Sequence, residues 1–345
     1  MKSIYFGSRG PTPARSRCGA RRLALLARAA GACLIALVCA TTAFAQDTRL
    51  LVITGVSGDD EHAEAFHRWA LIMINAAKSR DGVPDANITY LGERTETDPA
   101  HIRARSTKEN VESAIADLAA KSKPDDSIIV VLIGHGTFDG RNASFNLPGP
   151  DLTVADWEKL LAKLSKQRVA FVNTAPASGA FLPSIAGPGR VIVTATKTGG
   201  ERNETRFAEF FVTAFGDAAA DSDRNGHVSV LEAFNYAKDK VVRAFQADGL
   251  LLTEHATLDD GADGKLAGSL YLTAHPSDAG LNVDRADPAL AALADEREAI
   301  QKQIDGLKLR KDTMDPARYD QDMEKLLTDL ALKTKAIRDL QAKKK

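Results

Sequence analysis

The run Ile128-Ile129-Val130-Val131-Leu132-Ile133 puts an apolar side chain at six successive positions. Successive side chains of a strand point to opposite faces, so both faces of this strand must be covered. Central strands of a parallel sheet with helices on each side meet that demand, and Val191-Ile192-Val193 repeats the pattern. The remaining periodicities alternate between the two classes. Strands are expected at Leu50–Val56, Ile88–Leu91, Ser127–Ile133, Val169–Asn173, Val191–Ala195 and Ser269–Thr273. Helices are expected at Glu61–Lys78, Lys108–Ala120, Val154–Leu164, Arg206–Phe215 and Val230–Gln246. The fold class that follows is α/β, a three-layer sandwich around a mainly parallel sheet, spanning about 46–280.

The first 45 residues have a different character. They hold seven bases and no acid, then an apolar stretch from Ala29 to Ala40, and they end in Ala43-Phe44-Ala45. A basic start, a short apolar stretch and a small-x-small ending describe a signal peptide. The apolar stretch is too short for a good membrane span. The expectation is an exported protein, periplasmic or secreted, with no integral membrane association after cleavage. Cys18, Cys33 and Cys39 are the only cysteines, so cleavage after Ala45 leaves a chain without a thiol or a disulfide. Of 45 bases and 46 acids, losing the seven leader bases leaves 38 against 46, a net charge of about −8. A mildly acidic chain without basic clusters is a poor nucleic-acid binder.

The strand ends carry a resemblance. Ile129-Val130-Val131-Leu132-Ile133-Gly134-His135-Gly136-Thr137 is similar to the strand-then-His-Gly motif of legumain/caspase-like peptidases, in which that histidine is the catalytic base. Val169-Ala170-Phe171-Val172-Asn173-Thr174-Ala175-Pro176-Ala177-Ser178-Gly179 resembles the second motif, a strand ending in small-Cys-x-Ser-Gly. Ile53-Thr54-Gly55-Val56-Ser57-Gly58 with His62, the stretch Gly82–Ile88, and Thr194-Ala195-Thr196 are similar to legumains in particular. The resemblance covers about 48–275 and implies a caspase-like sheet with a pocket near residue 61, His62 and Thr196. The departures are chemical. Pro176 stands where the resemblance places the nucleophilic cysteine, Glu61 where it places the arginine that binds an Asn side chain, and Asp59 where it places an Asn. Without a thiolate, cysteine-peptidase chemistry cannot run. Ser178 offers a candidate nucleophile for His135, although it lies two positions from the cysteine's place. Otherwise His135 is vestigial.

Asp221-Ser222-Asp223-Arg224-Asn225-Gly226-His227-Val228-Ser229-Val230-Leu231-Glu232 fits a twelve-residue calcium loop. Asp221, Asp223 and Asn225 would give side-chain oxygens, His227 its carbonyl, and Glu232 a bidentate carboxylate. Ser229-x-x-Glu232 also reads as a helix capping box, a role compatible with the first. Asp259, Asp260 and Asp263 resemble half of a second loop but lack its closing glutamate, which favours a solvated turn before the strand expected at Ser269.

Beyond Pro288, Leu290, Leu293, Ile300, Ile304 and Leu307, then Tyr319, Met323, Leu326, Leu330 and Ile337, follow a 3-4 repeat broken at Met314-Asp315-Pro316. Arg297 and Lys333 interrupt it. The segment 287–345 is expected to form an antiparallel, coiled-coil-like helical hairpin, able to pack on the core or to pair two copies of the chain. The expected function is a catalytically inactive, calcium-stabilised binding or scaffold protein that takes a protein or peptide ligand. The alternatives are a hydrolase using His135 with Ser178, and a structural subunit assembled through the hairpin.

Overall fold

The computed structural model describes residues 47–344, apart from 125, 262–264, 274–277, 279–280, 282 and 309–313, and without the side chains of 302, 305, 306 and 308. The leader read over 1–45, its three cysteines and Asp263 lie outside the described residues. No helix among the described residues is long and apolar enough to cross a membrane.

The main sheet has seven strands. They are β1 (Thr48–Thr54), β2 (Ile88–Gly92), β3 (Ala104–Arg105), β4 (Ser127–Ile133), β8 (Arg168–Asn173), β9 (Arg190–Thr194) and β10 (Thr257–Asp259), in the order β10-β9-β8-β4-β1-β2-β3. All pairs are parallel except β9–β10, which is antiparallel at one edge. The doubly apolar run sits at the centre. Ile129, Val131 and Ile133 pack into one core with α1 (Asp60–Asn75), α5 (Phe207–Ala214) and α6 (Val230–Ala247). Ile128, Val130 and Leu132 pack into the opposite core with α2 (Lys108–Lys121), α3 (Val154–Ala162) and the short α4 (Leu182–Ile185). The six side chains are fully buried, each worth about 1.5–3 kcal/mol relative to exposure. The molecule is an α/β three-layer sandwich.

Two departures from the sequence reading concern the edges. Ser269–Thr273 does not join the sheet. Leu270 and Leu272 are buried beneath α6, the Leu270 carbonyl accepts from the Val230 N–H at 2.9 Å, and a single antiparallel bridge joins Tyr271 to Ser229. The segment therefore braces the 221–232 loop. The sheet edge is instead Thr257–Asp259, only three residues long and half-buried, too short to show a period. A second, three-stranded antiparallel sheet, β5 (Gly136–Phe138), β6 (Ala143–Phe145) and β7 (Leu152–Thr153), folds directly after His135.

The C-terminal segment forms α7 (Pro288–Lys308) and α8 (Pro316–Lys344). Their antiparallel pairing is fixed by contacts from end to end. Lys344 meets Asp287, Lys333 meets Glu296, and the Arg297 Nε donates to the Thr334 Oγ1 at 2.9 Å. The two cations that interrupt the apolar repeat are thus paired across the hairpin. Leu281, Leu290, Ala294 and Ile337 make a third buried cluster that shares no residue with the two cores of the sheet.

Candidate functional site

Parallel sheets bind ligands beyond the carboxyl ends of their strands, where the loops diverge. Here β4 and β8 are neighbours, and His135 and Pro176 lie in the loops that follow them. Both line one small cavity with Phe66, Thr174, Glu204 and Thr205. Two motif glycines hold these loops together. A Cβ on Gly136 would lie 2.5 Å from the Pro176 carbonyl oxygen, and one on Gly179 would lie 2.3 Å from the Lys197 carbonyl carbon. Glycine is what lets the backbones approach so closely.

His135 is held by packing. Its Nε2 donates to the Ser57 carbonyl at 3.1 Å, and its ring meets those of His62 and Phe66 edge-on at 5.0 and 5.3 Å. Ser57 is itself fixed, its hydroxyl donating to Glu93 at 2.7 Å. Ser178 is fully buried, and its Oγ lies 3.3 Å from the Thr196 Oγ1 and accepts from the Thr196 N–H at 3.2 Å. Among the described residues no hydrogen bond joins Ser178 to His135. Thr196, expected at the pocket, is also fully buried, and its Oγ1 accepts from the Gly179 N–H at 2.9 Å. It ties the loop after β9 to the loop after β8.

The open side of the cleft is acidic. Asp59 caps α1, accepting from the His62 backbone N–H at 2.9 Å, while its carboxylate meets the His62 Nδ1 at 2.8 Å. The His62 Nε2 lies 3.1 Å from Glu204. The hydrogen bond to Asp59 raises the pKa of His62, burial opposes it, and Glu204 adds to the rise. Hydrogen bonds from His62 hold the Asp59 carboxyl below its usual range. Glu61 stands exposed in the first turn of α1, outside the small cavity. The residue that reaches His62 is Glu204, which the sequence reading missed because its loop has no periodicity. That loop enters α5, whose first N–H groups are capped from a distant segment. The buried Glu254 accepts from Arg206 N at 2.9 Å and Phe207 N at 2.8 Å, and burial pushes its carboxyl up to about 7.

The 221–232 loop brings three of its expected ligands together. Carboxylate oxygens of Asp221, Asp223 and Glu232 lie within 4.8 Å of one another. The turn is made as the pattern requires. Gly226 has φ 94°, and its N–H donates to Asp221 at 2.8 Å. Asn225 is turned differently: its Oδ1 accepts from the His227 N–H at 2.9 Å, and its Nδ2 donates to Asp223 and to the Tyr271 hydroxyl. The His227 Nδ1 bonds to the buried Asp81 at 2.6 Å, which ties the loop to the segment that follows α1. The capping box is formed as well. Glu232 Oε2 accepts from Ser229 N and Oγ, and its Oε1 accepts from Ser222 N, Ser222 Oγ and Asp223 N. Desolvation first, then the like charges of Glu232 and Asp221, raise the pKa of Asp223. Asp223 is largely exposed, so the like charges are the part of that rise which the geometry supports. Three hard oxygen donors that repel one another fit a hard cation such as calcium. In the second acidic cluster, Asp259 ends β10 and accepts from Gly261 N at 3.1 Å, while Asp260 accepts from Ala267 N at 3.4 Å.

Neither a protein-family model nor a curated protein sequence matches the chain.

Proposed function

We propose that this chain is an exported, catalytically inactive relative of the legumain/caspase-like peptidases that works as a binding protein stabilised by calcium. One observation carries the reading. Where the resemblance places a nucleophile beside His135 there is Pro176, the candidate hydroxyl of Ser178 is fully buried and engaged by Thr196, and the Thr174 and Thr205 hydroxyls that line the cavity donate to backbone carbonyls. A proline offers no attacking atom, and a hydroxyl without a hydrogen-bonded base is a weak one. The cavity between His135 and Pro176 is about 10 Å³, room for about one water. Recognition is therefore assigned to the cleft's exposed rim. Glu61 stands free there for a basic or amide-donating group of a peptide, beside the Asp59–His62–Glu204 array. Calcium, held by Asp221, Asp223, Asn225, the His227 carbonyl and Glu232, would neutralise the loop's carboxylates and fix the start of α6.

The test is reactivity. The chain beginning at Gln46 is incubated with thiol-directed and serine-directed covalent warheads and with a library of peptide substrates. The expected result is no labelling and no cleavage. Ser178→Ala should act on stability alone, by about 1–3 kcal/mol, because it leaves the buried Thr196 N–H without an acceptor. Cleavage that disappears in both His135→Ala and Ser178→Ala would establish the hydrolase alternative instead.

A further inference from the structure

The C-terminal helix has a second stripe that the hairpin does not use. Ile337 is buried against the α7 side, where Lys333 and Thr334 also find their partners. On another side of α8, Asp320, Met323, Glu324, Leu327, Thr328, Ala331, Leu332 and Lys335 line one open, mostly apolar groove. Leu327 is 50% exposed and Leu332 59% exposed, two of the four large apolar residues left in solvent among the described residues. The groove runs over 16 residues of helix, from Asp320 to Lys335, about 24 Å at 1.5 Å per residue. Its residues fall in two rows of i, i+4 steps, Asp320-Glu324-Thr328-Leu332 and Met323-Leu327-Ala331-Lys335, and side chains three and four apart are neighbours on one helix surface.

The order of residues along the stripe selects the occupant. The stripe is symmetric about the point between Leu327 and Thr328. Laid antiparallel on a second copy of itself, it sets Asp320 against Lys335, Met323 against Leu332, Glu324 against Ala331 and Leu327 against Thr328. The acidic end of each helix then faces the basic end of the other, twice per pair. Laid parallel and in register, the same helices would oppose Asp320 to Asp320 and Lys335 to Lys335, and like charges at a seam repel. An isologous two-fold contact needs a self-complementary patch of this kind. We infer that the α8 groove is a homodimer surface that takes the α8 of a second copy antiparallel, which makes a four-helix assembly from two hairpins. The inference is independent of the cleft and of calcium.

Four turns of one helix bury less than a standard interface, so the dimer is concentration-dependent. Sedimentation equilibrium of the chain from Gln46 should give a dimer at about 100 µM and a monomer at about 1 µM. Leu327→Asp/Leu332→Asp should be monomeric throughout with an unchanged melt, because both side chains are exposed. The charge test is specific to the antiparallel pairing. Asp320→Lys alone and Lys335→Glu alone should each weaken the dimer about tenfold, since each sets two like-charge pairs across the seam. Asp320→Lys/Lys335→Glu should restore it. A monomer at about 100 µM would overturn the inference, as would a dimer indifferent to the leucine substitutions. A double charge variant no tighter than either single one would overturn the antiparallel pairing.

Discussion

Glu232 and Asp223 give a pair of substitutions with opposite expected effects in the absence of calcium and the same effect in its presence. The buried Glu232 carboxylate accepts five hydrogen bonds, three on Oε1 and two on Oε2. Glu232→Gln keeps one acceptor oxygen and turns an amide NH₂ toward donors on the other side. Leaving buried donors unpaired costs about 1–3 kcal/mol. At about 2–4 °C per kcal/mol for a domain of this size, melting in chelator should fall by roughly 2–12 °C. Asp223 is largely exposed and lies within 4.8 Å of two other carboxylates. At that distance and a water-like dielectric each repulsion is worth about 1 kcal/mol. Asp223→Asn removes the charge and keeps an oxygen for the Asn225 N–H, so melting in chelator should hold or rise by about 2 °C. Calcium at a hundredfold excess over Kd should stabilise the parent by about 2.7 kcal/mol. Both variants should lose most of that gain. Thermal melts by circular dichroism at pH 7, with calcium and with chelator, read all four quantities. A parent that melts alike in both buffers leaves only the capping box. An Asp223→Asn variant that keeps the full calcium shift removes Asp223 from the ligand set.

Two further outcomes are expected. Glu254 has its pKa raised from 4.5 to about 7 by burial, so its neutral form is the one the fold favours. Its contribution is fully present below about 4.5 and is lost as pH rises through about 7, on the order of 3 kcal/mol in total; Glu254→Gln should flatten the stability of the protein across that window, and a slope equal to the parent's would refute the assignment. The third buried cluster includes Leu281, so a chain ending at Thr273 removes that cluster whole, whereas a cut near Ala286 strands part of it. The shorter chain should melt cooperatively as a soluble α/β core, and its failure to fold would mean that the hairpin completes the sheet's own packing.

The central layers were legible in the sequence because burial on both faces leaves a continuous apolar run that no loop or amphipathic helix imitates. Ser127–Ile133 is a strand with those same bounds, and the helix expected at Val230–Gln246 spans Val230–Ala247. What escaped were elements whose partner is distant or whose length is too short for a period. Thr257–Asp259 is an edge strand because Thr194, Val193 and Ile192 offer it a free side. Ser269–Thr273 has the composition of a strand, yet the loop before α6 uses its backbone. The small sheet after His135 is built from strands of two and three residues. Leu327 and Leu332 lie off the 3-4 repeat of Met323, Leu326, Leu330 and Ile337, so that repeat alone gives them no partner.

The site shows a different limit, since packing and chemistry demand some of the same residues. Gly136 is required where the Pro176 carbonyl passes, and Gly179 where the backbone of Lys197 passes. Ser178 supplies the acceptor for the Thr196 N–H, and Thr196 supplies the one for Gly179 N. A His-Gly and a Ser-Gly pair at these strand ends therefore follow from how the loops cross, with no catalysis needed to explain them. The positions free of that constraint are Glu61, which is exposed, and the side chain at 176, which faces a cavity of about 10 Å³ with His135. Those are two of the three places where this chain departs from the resemblance; the third, Asp59, caps α1. Chemistry is thus read most safely at residues that packing does not dictate, and Glu61 and Pro176 are the residues on which the proposed recognition at an acidic rim rests.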